Sequence, residues 1–393
     1  MATGKIGKEI KGQLSSALEN QVHQYKSIFS KKNINKLSAS KNTFCLGDNL
    51  YLMKKYLNEG KKVDLIYTDP PYGTNKEFID RDLIHSYSDR RNPDDQYEFL
   101  KERIVLMRDL LNDDGSIYLH IGSELLGECK IILDEVFGKR NLRNVITRRK
   151  CSSKNSTKNS FPDLNDYILF YSKTSSYKFF QQGISPSDEW INKEYPKKDE
   201  KGRYKLVPVH APGIRHGETG KKWKGKLPPK GKHWQLTPNK LEMLDKEGEI
   251  HWSRNNNPRR KVRLTKDKTL PYTNYWSNFR DPHHQSIKVT GYPTEKNIDM
   301  LKLIVKSSSV EGDTLLDPFC GSGTFLEASA LLNRHFIGFD NSPIAAEHTL
   351  KRLKFGTSSM GDHVNKTKQE KFNFVSNIDF EFLIPTGSNK DFN

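Results

Sequence analysis

Cysteine is scarce in this sequence, and its spacing argues against two kinds of structural support. The four cysteines stand far apart and form no Cys-x-x-Cys pair; they are Cys45, Cys129, Cys151 and Cys320. This spacing disfavours a disulfide framework and a zinc cluster, and it is typical of a protein in a reducing cytoplasm. The adjacent His283 and His284 do not change this, because neighbouring residues rarely chelate one ion and no third ligand is near. We therefore expect no metal.

Long apolar runs are also missing. The mean hydropathy is −0.78, and no run approaches the roughly 18 apolar residues that a membrane-spanning helix needs. Residues 1–11 contain charges and glycines but no apolar segment of the kind found in secretion signals. These features predict a cytoplasmic protein. Its 393 residues are enough for two or more domains, each with a hydrophobic core.

Acidic side chains are in the minority, which gives a formal net charge of +17 and a pI near 9.4. Most of the excess lies in residues 191–270, where 22 lysines and arginines accompany nine aspartates and glutamates. Charge alone would also suit a solvated, lysine-rich insertion. Interleaved aromatic and imidazole rings favour a nucleic-acid surface instead; they are Tyr204, Trp223, His233, Trp234 and Trp252.

The densest clusters of cations predict contacts with DNA phosphates rather than with bases, because clustered charge provides affinity without sequence information. The predicted DNA-binding residues are Lys221, Lys222, Lys224, Lys226, Arg259, Arg260 and Lys261. Further along the chain, Tyr275 and Trp276 fit a hydrophobic core better than a base-stacking surface.

Outside the basic region, short apolar runs alternate with helical periodicity, a pattern typical of a mostly parallel α/β sheet. In the first half, the predicted strands are Thr43–Leu46, Val63–Thr68, Ser116–Ile121, Asn144–Arg149 and Tyr167–Tyr171, and the predicted helices are Asn49–Leu57, Tyr97–Leu111 and Leu125–Phe137. In the second half, the predicted strands are Thr314–Asp317, His335–Asp340 and a late Phe372–Leu383, and the helices are Glu295–Lys306, one from Gly323, and Pro343–Leu353.

These patterns divide the chain into five segments. Residues 1–40 form a basic extension with the periodicity of an amphipathic helix, and residues 356–393 form a tail. Residues 41–174 and 286–355 each carry part of one α/β sheet, so we expect them to close a single discontinuous domain. Residues 175–285 lose the α/β rhythm and predict a separate, irregular recognition domain.

The sequence Asp69-Pro70-Pro71-Tyr72 follows the predicted strand Val63–Thr68. Two prolines remove two backbone donors and stiffen the loop, so the carbonyl oxygens of Asp69 and Pro70 are free to accept hydrogen bonds. Together with the Asp69 carboxylate they suit an exocyclic amino group, whose nitrogen becomes positively charged when it attacks. Tyr72 offers a face on which an extruded base can stack. The alternative is a tight turn with no binding role.

The strand Thr314–Asp317 runs into a turn that contains Gly321 and Gly323 and precedes a helix. Such a turn lets a ligand approach the backbone at a helix N-terminus. Asp340 ends the next strand about 20 residues later, where a carboxylate can bind ribose hydroxyls. The lysine of a P-loop and the third glycine of a dinucleotide site are missing. The turn therefore fits a nucleoside cofactor without a pyrophosphate, or else it is purely structural.

The ordered set of motifs resembles the beta-class DNA amino-methyltransferases, which use S-adenosylmethionine to methylate an exocyclic amine of DNA. The order is that of the beta class, with the catalytic motif first, the recognition region next and the cofactor motif last. The resemblance implies an α/β fold: a discontinuous Rossmann-like domain, whose twisted sheet is mostly parallel with one antiparallel strand, plus an irregular inserted target-recognition domain. The matching segments are Gly47-Asp48-Asn49, Thr68-Asp69-Pro70-Pro71-Tyr72, Gly291-Tyr292-Pro293-Thr294-Glu295-Lys296, Asp317-Pro318-Phe319-Cys320-Gly321-Ser322-Gly323-Thr324 and Ile337-Gly338-Phe339-Asp340.

Carried over residue by residue, the resemblance implies two groups of site residues. The catalytic group is Asp69 and Pro70, which would hold the target amine, Pro71, and Tyr72, which would stack on the flipped base. The cofactor group is Asp48 near the adenine, Asp340 at the ribose hydroxyls, Phe319, Gly321 and Gly323 along the methionine part, and also Thr68, Thr294, Lys296, Asp317 and Thr324. Asn297 stands where the family often has proline, which weakens the signal for a helix start.

The resemblance predicts sequence-specific methylation of adenine at N6 in double-stranded DNA, with S-adenosylmethionine as cofactor. Asp rather than Ser at position 69 favours adenine in this family. N4 of cytosine is the nearest alternative, because the same acceptors serve either amine. RNA methylation and a binding module that has lost catalysis are the remaining alternatives. The resemblance also implies a bacterial restriction–modification setting, in which a cognate endonuclease would be a partner. The protein itself would be a monomer or a homodimer.

Overall fold

The computed structural model describes residues 42–72, 77–79, 85–88, 92–151, 159–281, 295–356, 378 and 380–383. The chain divides into two compact units: a first unit, Met1–Gln182 with Tyr272–Asn393, and an insert, Gly183–Pro271. The predicted helix in residues 1–40, the pair His283 and His284, and most of the predicted strand Phe372–Leu383 lie outside the described residues.

Strands are numbered in chain order through both units. They are β1 (Thr43–Leu46), β2 (Val63–Thr68), β3 (Glu77–Ile79), β4 (His85–Ser88), β5 (Leu111–Ile121), β6 (Leu142–Arg149), β7 (Asn165–Ser172), β8 (Gly183–Ile184), β9 (Lys197–Asp199), β10 (Gly202–Pro208), β11 (His210–Pro212), β12 (Lys232–Trp234), β13 (Ile250–Trp252), β14 (Pro258–Arg263), β15 (Leu270–Pro271), β16 (Tyr275–Trp276), β17 (Thr314–Asp317), β18 (His335–Asp340) and β19 (Glu381–Leu383).

The helices are numbered in the same way. They are α1 (Asn49–Asn58), α2 (Pro93–Leu110), α3 (Leu126–Phe137), α4 (Asp188–Glu194), α5 (Pro238–Lys246), α6 (Ile298–Ser308), α7 (Thr324–Leu331) and α8 (Pro343–Phe355), with short 3₁₀ turns at Ser123–Leu125, Lys139–Asn141 and Glu218–Gly220. Within the described ranges, no helix is both long enough and apolar enough to cross a membrane.

Capping side chains move the start of two helices away from the predicted positions. Helix α2 begins at Pro93 rather than at Tyr97, because Asn92 accepts a hydrogen bond from the Asp95 amide at 2.8 Å. Helix α6 begins at Ile298 rather than at Glu295, because the Asn297 side chain accepts from two amides of the first turn. The expectation that Asn297 weakens the helix start is therefore wrong: an asparagine N-cap defines it.

Among the described residues of the first unit, nine strands form one sheet in the order β16-β6-β7-β5-β2-β17-β18-β1-β19. Neighbouring strands in this sheet are parallel, except that β7 is antiparallel to both β5 and β6. The predicted α/β fold, with a mostly parallel sheet and one antiparallel strand, is confirmed.

The two strands that carry the motifs are neighbours in this sheet, with Ile66 of β2 paired to Leu316 of β17. From β17 the chain continues through α7 to β18 on one side, and from β2 it continues through α2 to β5 on the other. The winding therefore reverses between β2 and β17. Ligands of open α/β sheets bind at such a reversal, outside the carboxyl ends of the strands. Asp69 and the glycine turn follow those two ends.

Alternate residues of β2 pack on opposite faces of the sheet and fix the motif strand in place. Ile66 lies in the apolar cluster that includes Ile104 of α2, whereas Leu65 lies in the cluster that includes Met300 of α6. All four side chains are at most 1% exposed. Burial of each contributes about 1.5–3 kcal/mol, so the loop that follows β2 starts from a rigid support.

The insert has its own small core and a four-stranded antiparallel sheet in the order β13-β14-β10-β9. Arg263 of β14 binds two carboxylates from other parts of the insert, with nitrogen–oxygen distances of 2.7 Å to Asp199 and 2.9 Å to Glu249. This unit is more regular than its sequence indicated, because its order comes from cross-strand contacts between distant residues. The core side chains are Val209, Trp223, Trp234, Leu241 and Ile250.

The insert is shorter than the predicted recognition segment of residues 175–285. Residues 175–182 and 272–281 belong to the first unit, where Tyr275 of β16 pairs with Thr147 of β6. Trp276 is buried in a core cluster of the first unit, whereas Tyr275 is exposed. A two-residue strand at the edge of a sheet leaves too short a pattern to be recognised in the sequence.

Candidate active site

Three side chains, those of Asp69, Tyr72 and Lys296, are in contact at the carboxyl end of β2. The Tyr72 hydroxyl donates to Asp69 Oδ1 at 2.7 Å, and Lys296 Nζ lies 2.6 Å from Asp69 Oδ2. Burial, together with the nearby charge of Asp69, raises the pKa of Tyr72 well above its usual value, so the hydroxyl keeps its proton and can donate it. Lys296, predicted among the cofactor residues, therefore contacts the predicted catalytic carboxylate.

The loop after β2 presents backbone acceptors that have no donor among the described residues. Elsewhere in the described ranges, no group donates a hydrogen bond to the carbonyl oxygen of Asp69 or of Pro70. The carbonyl of Pro71 differs, because Gln96 Nε2 donates to it at 2.6 Å. Gln96 of α2 is 2% exposed and anchors the loop. The sequence predicted the other two carbonyls and the Asp69 carboxylate as acceptors for an amino group, and that role stays a prediction.

The glycine turn between β17 and α7 is held from two sides. The amide of Gly321 donates to Asp340 Oδ2 at 2.8 Å, and Thr349 Oγ1 of α8 donates to the carbonyl of Gly321 at 2.9 Å. Gly323 has a φ of +73°, and a Cβ added there would lie 2.8 Å from Thr349 Oγ1. A residue with a side chain would therefore be strained and crowded at this position.

The two carboxylates beside this turn have raised pKa values. Burial raises the pKa of Asp340 to about 6, against the opposing effect of backbone donors such as Ser342 N. Burial also raises the pKa of Asp317 well above its usual value, and the charges of Asp69 and Asp340 add to the effect. Asp317 is only 3% exposed and accepts a hydrogen bond from its own loop. Asp340 is the better placed of the two to meet a ligand.

Asp48 and the end of β1 lie next to the glycine turn and Asp340. Asp48 caps α1 by accepting from Tyr51 N at 3.1 Å, and Arg103 Nη2 lies 3.4 Å from its other oxygen. Asn49 Nδ2 donates to the carbonyl of Pro318 at 2.8 Å, and Gly47 N donates to the carbonyl of Asp340 at 2.7 Å. These hydrogen bonds bring the ends of β1, β17 and β18 together.

Three more of the predicted cofactor residues, Thr68, Phe319 and Thr324, lie at the end of β2 or around the glycine turn after β17. Thr68 is fully buried, and its Oγ1 has no hydrogen-bond partner in the described part of the chain. Phe319 is half-buried, with its ring centroid 6.0 Å from that of Phe99. Thr324 is buried and its hydroxyl lies 3.0 Å from that of Ser322. Thr294 lies outside the described residues. The Thr68 hydroxyl without a described partner, the half-buried Phe319 ring and the glycine turn are compatible with a nucleoside ligand.

The comparison with protein families agrees with this geometry. The family model for N6/N4 methyltransferases, described as DNA methylase, matches residues 63–351. The chain belongs to this DNA methylase family. The match begins with β2 and ends in α8, so it includes both motif strands and the insert between them. The predicted DNA amino-methyltransferase is confirmed at the level of this family, which includes both N6 and N4 enzymes.

Individual proteins that are similar to this DNA methylase are named as methyltransferases or as restriction–modification subunits. The chain is 56% identical over 324 residues to the type II methyltransferase M.EcaI of Enterobacter cloacae, covering 82% of this chain and 72% of that protein. It is 28% identical to the StyLTI Mod subunit, a type III restriction–modification enzyme of Salmonella typhimurium, and covers 75% of this chain but half of that subunit. A crystal structure of the M1.HpyAVI–SAM complex matches 79% of this chain and 98% of its own, with 16% identity and a TM-score of 0.41.

A buried polar chain next to the site of the methylase escapes detection from the sequence. Tyr67 of β2 has its hydroxyl 2.7 Å from His120 Nδ1, and His120 Nε2 lies 2.9 Å from Asp166 Oδ2. Burial opposes ionisation of Asp166, yet His120 and Arg148 lower the pKa of Asp166 far below its usual range. Each of these residues lies within a largely apolar strand. In the sequence, the sign of the buried network is therefore a single polar residue in each strand.

The predicted DNA-binding cations of the methylase fall into two groups. Four of them have partners inside the insert: Lys221 with Glu218, Lys224 with Asp245, Lys226 with the carbonyl of Asn256, and Lys261 with Asp199. Lys222, Arg259 and Arg260 have no ion pair within the described residues. Lys222 and Arg259 are exposed, whereas Arg260 is half-buried and its Nε has no hydrogen-bond partner there.

Proposed function

We propose that this DNA methylase transfers a methyl group from S-adenosylmethionine to the N6 amine of adenine in double-stranded DNA. One observation carries the proposal: the Asp69 carboxylate and two carbonyls that have no donor in the described ranges stand at the end of β2, beside the strand that leads into the glycine turn. An exocyclic amine has two N–H donors, and such a cluster can accept both.

S-adenosylmethionine would occupy a crevice at the strand ends that adjoin this cluster. Asp340 would accept hydrogen bonds from the ribose hydroxyls, Asp48 would lie near the adenine, and the glycine turn with Phe319 would hold the methionine part. Thr68, whose hydroxyl lacks a partner in the described ranges, would supply a further polar contact. Bound there, S-adenosylmethionine supplies an electrophilic methyl group on a sulfonium sulfur.

The chemistry assigned to the protein is orientation and charge stabilisation. Asp69 and the carbonyl of Pro70 hold the amine so that its nitrogen becomes pyramidal and its lone pair faces the methyl group. Positive charge would develop on that nitrogen as the nitrogen–carbon bond forms and the carbon–sulfur bond breaks. The Asp69 carboxylate would stabilise this charge until the nitrogen releases a proton to solvent. Tyr72 keeps the carboxylate oriented through its 2.7 Å hydrogen bond and offers its ring to the base.

The target base has to leave the duplex to reach this crevice. Extrusion costs a few kcal/mol, which stacking on Tyr72 and hydrogen bonds to the amine offset. The insert, with exposed Lys222 and Arg259, supplies phosphate contacts and target recognition. This division assigns catalysis to residues 41–174 and 286–355 and recognition to the segment between them.

The biological setting proposed here is bacterial restriction–modification. A type II methyltransferase at 56% identity and a type III restriction–modification subunit support it. The protein would act in the cytoplasm, where the chromosome lies, beside a cognate endonuclease that recognises the same sequence. Adenine is preferred to cytosine because position 69 is Asp; the N4 amine of cytosine is the second candidate, since the acceptors are the same.

The test is to methylate unmodified plasmid DNA with the purified chain and to measure N6-methyldeoxyadenosine and N4-methyldeoxycytidine by mass spectrometry after digestion. We expect the adenine product. Asp69→Ala should lower the transfer rate at least a hundredfold, on the order of the loss of one oriented charge-stabilising group. Calorimetry should find S-adenosylmethionine affinity within about threefold of the wild type.

Asp163→Ala is the matched control, because Asp163 pairs with Lys150 elsewhere in the first unit. This variant should retain both methyl transfer and S-adenosylmethionine binding. N4-methyldeoxycytidine as the sole product would overturn the choice of adenine. Equal loss of cofactor binding and of methyl transfer in Asp69→Ala would contradict the separate roles given to the two halves of the site.

A further inference from the structure

Arg352 of α8 is 2% exposed and spreads its guanidinium over three partners. Nε donates to the carbonyl of Ser322 at 2.7 Å, Nη1 lies 2.6 Å from Glu327 Oε2, and Nη2 contacts Glu295 Oε1. These partners belong to the glycine turn, to α7 and to the segment that precedes α6. One buried side chain therefore ties three separate parts of the fold together.

The same face of α8 supports the glycine turn a second time. Thr349, three residues before Arg352, donates its hydroxyl to the carbonyl of Gly321 at 2.9 Å and packs against Gly323. Arg352 and Thr349 thus bind the consecutive carbonyls of Ser322 and Gly321. Helix α8 fixes the backbone of the turn that is proposed to hold the cofactor.

Glu295 connects this support to the other half of the site. It directly precedes Lys296, whose ammonium group lies 2.6 Å from Asp69 Oδ2. Both residues come before the Asn297 cap of α6, so no helical hydrogen bonds hold their backbone. Side-chain contacts such as the one between Glu295 and Arg352 fix where this short segment lies.

An arginine suits such a contact better than a lysine. Its planar guanidinium has donors in a fixed fork, so three partners can be bound in a set geometry. Glu295 and Glu327 flank the same guanidinium and are both largely buried. They differ in what they hold, since Glu295 holds the segment next to Asp69 and Glu327 holds α7. The chain therefore contains its own matched pair for an experiment.

We propose that Arg352 is a positioning residue that sets the distance between the cofactor half and the amine half of the site. By binding the glycine turn and Glu295 together, it fixes Lys296 against Asp69. This inference rests on the proposed roles of Asp69 and the glycine turn. Arg352 itself touches neither ligand; its effect is transmitted through Glu295 and Lys296.

The first test uses the full chain without cofactor. Hydrogen–deuterium exchange is followed in peptides that contain residues 295–301, for the wild type, Glu295→Gln and Glu327→Gln. We expect exchange in this segment to become about tenfold faster in Glu295→Gln and to stay near the wild-type rate in Glu327→Gln. Unchanged protection in Glu295→Gln would overturn the proposal.

The second test measures single-turnover methyl transfer at saturating tritiated S-adenosylmethionine, with cofactor affinity measured separately by calorimetry. Glu295→Gln should slow transfer about thirtyfold, because a displacement of about an ångström is enough for such a loss. Glu327→Gln should stay within about threefold. In Glu295→Gln, the fold-decrease in transfer rate should exceed the fold-decrease in cofactor affinity, because Arg352 still binds the Ser322 carbonyl. Equal rates for the two glutamine variants would contradict the assignment.

Arg352→Lys keeps the charge and provides a second variant should Glu295→Gln fail to fold. A lysine cannot reach all three partners, so we expect faster exchange in residues 295–301 and a slower transfer than in the wild type. Wild-type protection and rate in Arg352→Lys would overturn the proposal. A wild-type chain that methylates no DNA would instead refute the proposed function, while the exchange measurement would still decide the role of Arg352.

Discussion

Three aspartates at the strand ends have the same side chain but different chemistry, because their surroundings differ. Asp69 lies against Lys296 and the Tyr72 hydroxyl. Asp317 is almost fully buried, and its pKa is raised well above the usual value. Asp340 is half-buried, with a pKa of about 6. The carboxyl of Asp340 therefore titrates within the range in which the protein can be studied.

Lowering the pH from 7.5 to 5 should weaken the binding of S-adenosylmethionine about tenfold. The Asp340 carboxyl, with its pKa of about 6, gains a proton over this range and becomes a poorer acceptor for ribose hydroxyls. Because its folded pKa is above the unfolded value of about 4, protonation of this group favours the folded state; that stabilisation is full below pH of about 4 and lost above about 6. Isothermal calorimetry at several pH values measures the effect.

Asp340→Asn is the control for this titration. It should bind the cofactor weakly at every pH, without the rise in dissociation constant between pH 7.5 and 5. The same pH dependence in Asp340→Asn and in the wild type would assign the titration to another group, such as Asp317.

At the scale of elements, short turns and caps place the side chains of the candidate site. Asn92 and Asn297 determine where α2 and α6 begin. The start of α2 brings Gln96 under the loop after β2, and the start of α6 leaves Lys296 outside the helix and next to Asp69. A shift of either helix start by a few residues would move these contacts away from the site.

Gly323→Ala should lower the free energy of unfolding by about 3 kcal/mol, measured by denaturant titration. The backbone φ of +73° disfavours any side chain there, and a Cβ would lie 2.8 Å from Thr349 Oγ1. Gly60 is the matched control, because it has a φ of +69° and a Cβ added there would meet no atom within 4 Å. Gly60→Ala should therefore show the backbone cost alone, about 1 kcal/mol.

Equal losses in the two variants would show that contact with Thr349 contributes nothing to the glycine requirement. Gly323→Ala should also weaken S-adenosylmethionine binding, since relief of the contact has to displace the turn or α8. Gly60 lies at the end of α1, away from the glycine turn in the chain, so cofactor binding by Gly60→Ala should equal that of the wild type.

At the scale of the whole molecule, the excess positive charge and the two sequence motifs lie in different segments. Residues 191–270 hold most of the net positive charge, and the two sequence motifs lie in the first unit. Inside the insert, many cations are bound to carboxylates and support its small sheet, as Arg263 does with Asp199 and Glu249. The cations without such partners in the described ranges are the ones that we propose for contact with DNA.

Replacing Lys222 and Arg259 together by glutamine should weaken DNA binding and reduce its salt dependence. Each lost phosphate contact lowers the slope of log affinity against log salt concentration by about 0.9, so the pair should lower it by about 2. Fluorescence anisotropy over a salt series measures the slope. The matched control is Lys201→Gln with Lys205→Gln, which removes the same charge from residues paired to Glu249 and Glu194. Identical slopes for both double variants would contradict a DNA-facing role for Lys222 and Arg259.

The sequence alone determined the elements that local patterns specify. Strands Thr43–Leu46, Val63–Thr68, Thr314–Asp317 and His335–Asp340 lie where predicted, because each is a short apolar run bounded by turn-forming residues. The Asp-Pro-Pro-Tyr loop and the glycine turn were equally visible, since proline restricts the backbone and glycine permits the positive φ that a tight turn needs. Residue chemistry and motif order were enough to identify the family.

Only the tertiary structure decided which distant residues share the site. Lys296 forms an ion pair with Asp69, and Arg352 contacts both Ser322 and Glu295. Nothing in the local sequence specifies these pairs, because they depend on the register of β2 against β17 and on the packing of α8. Order in the insert has the same origin, in contacts between strands far apart in the chain. Local propensity fixes each segment, whereas burial of charged groups is stable only when the whole fold brings their partners together.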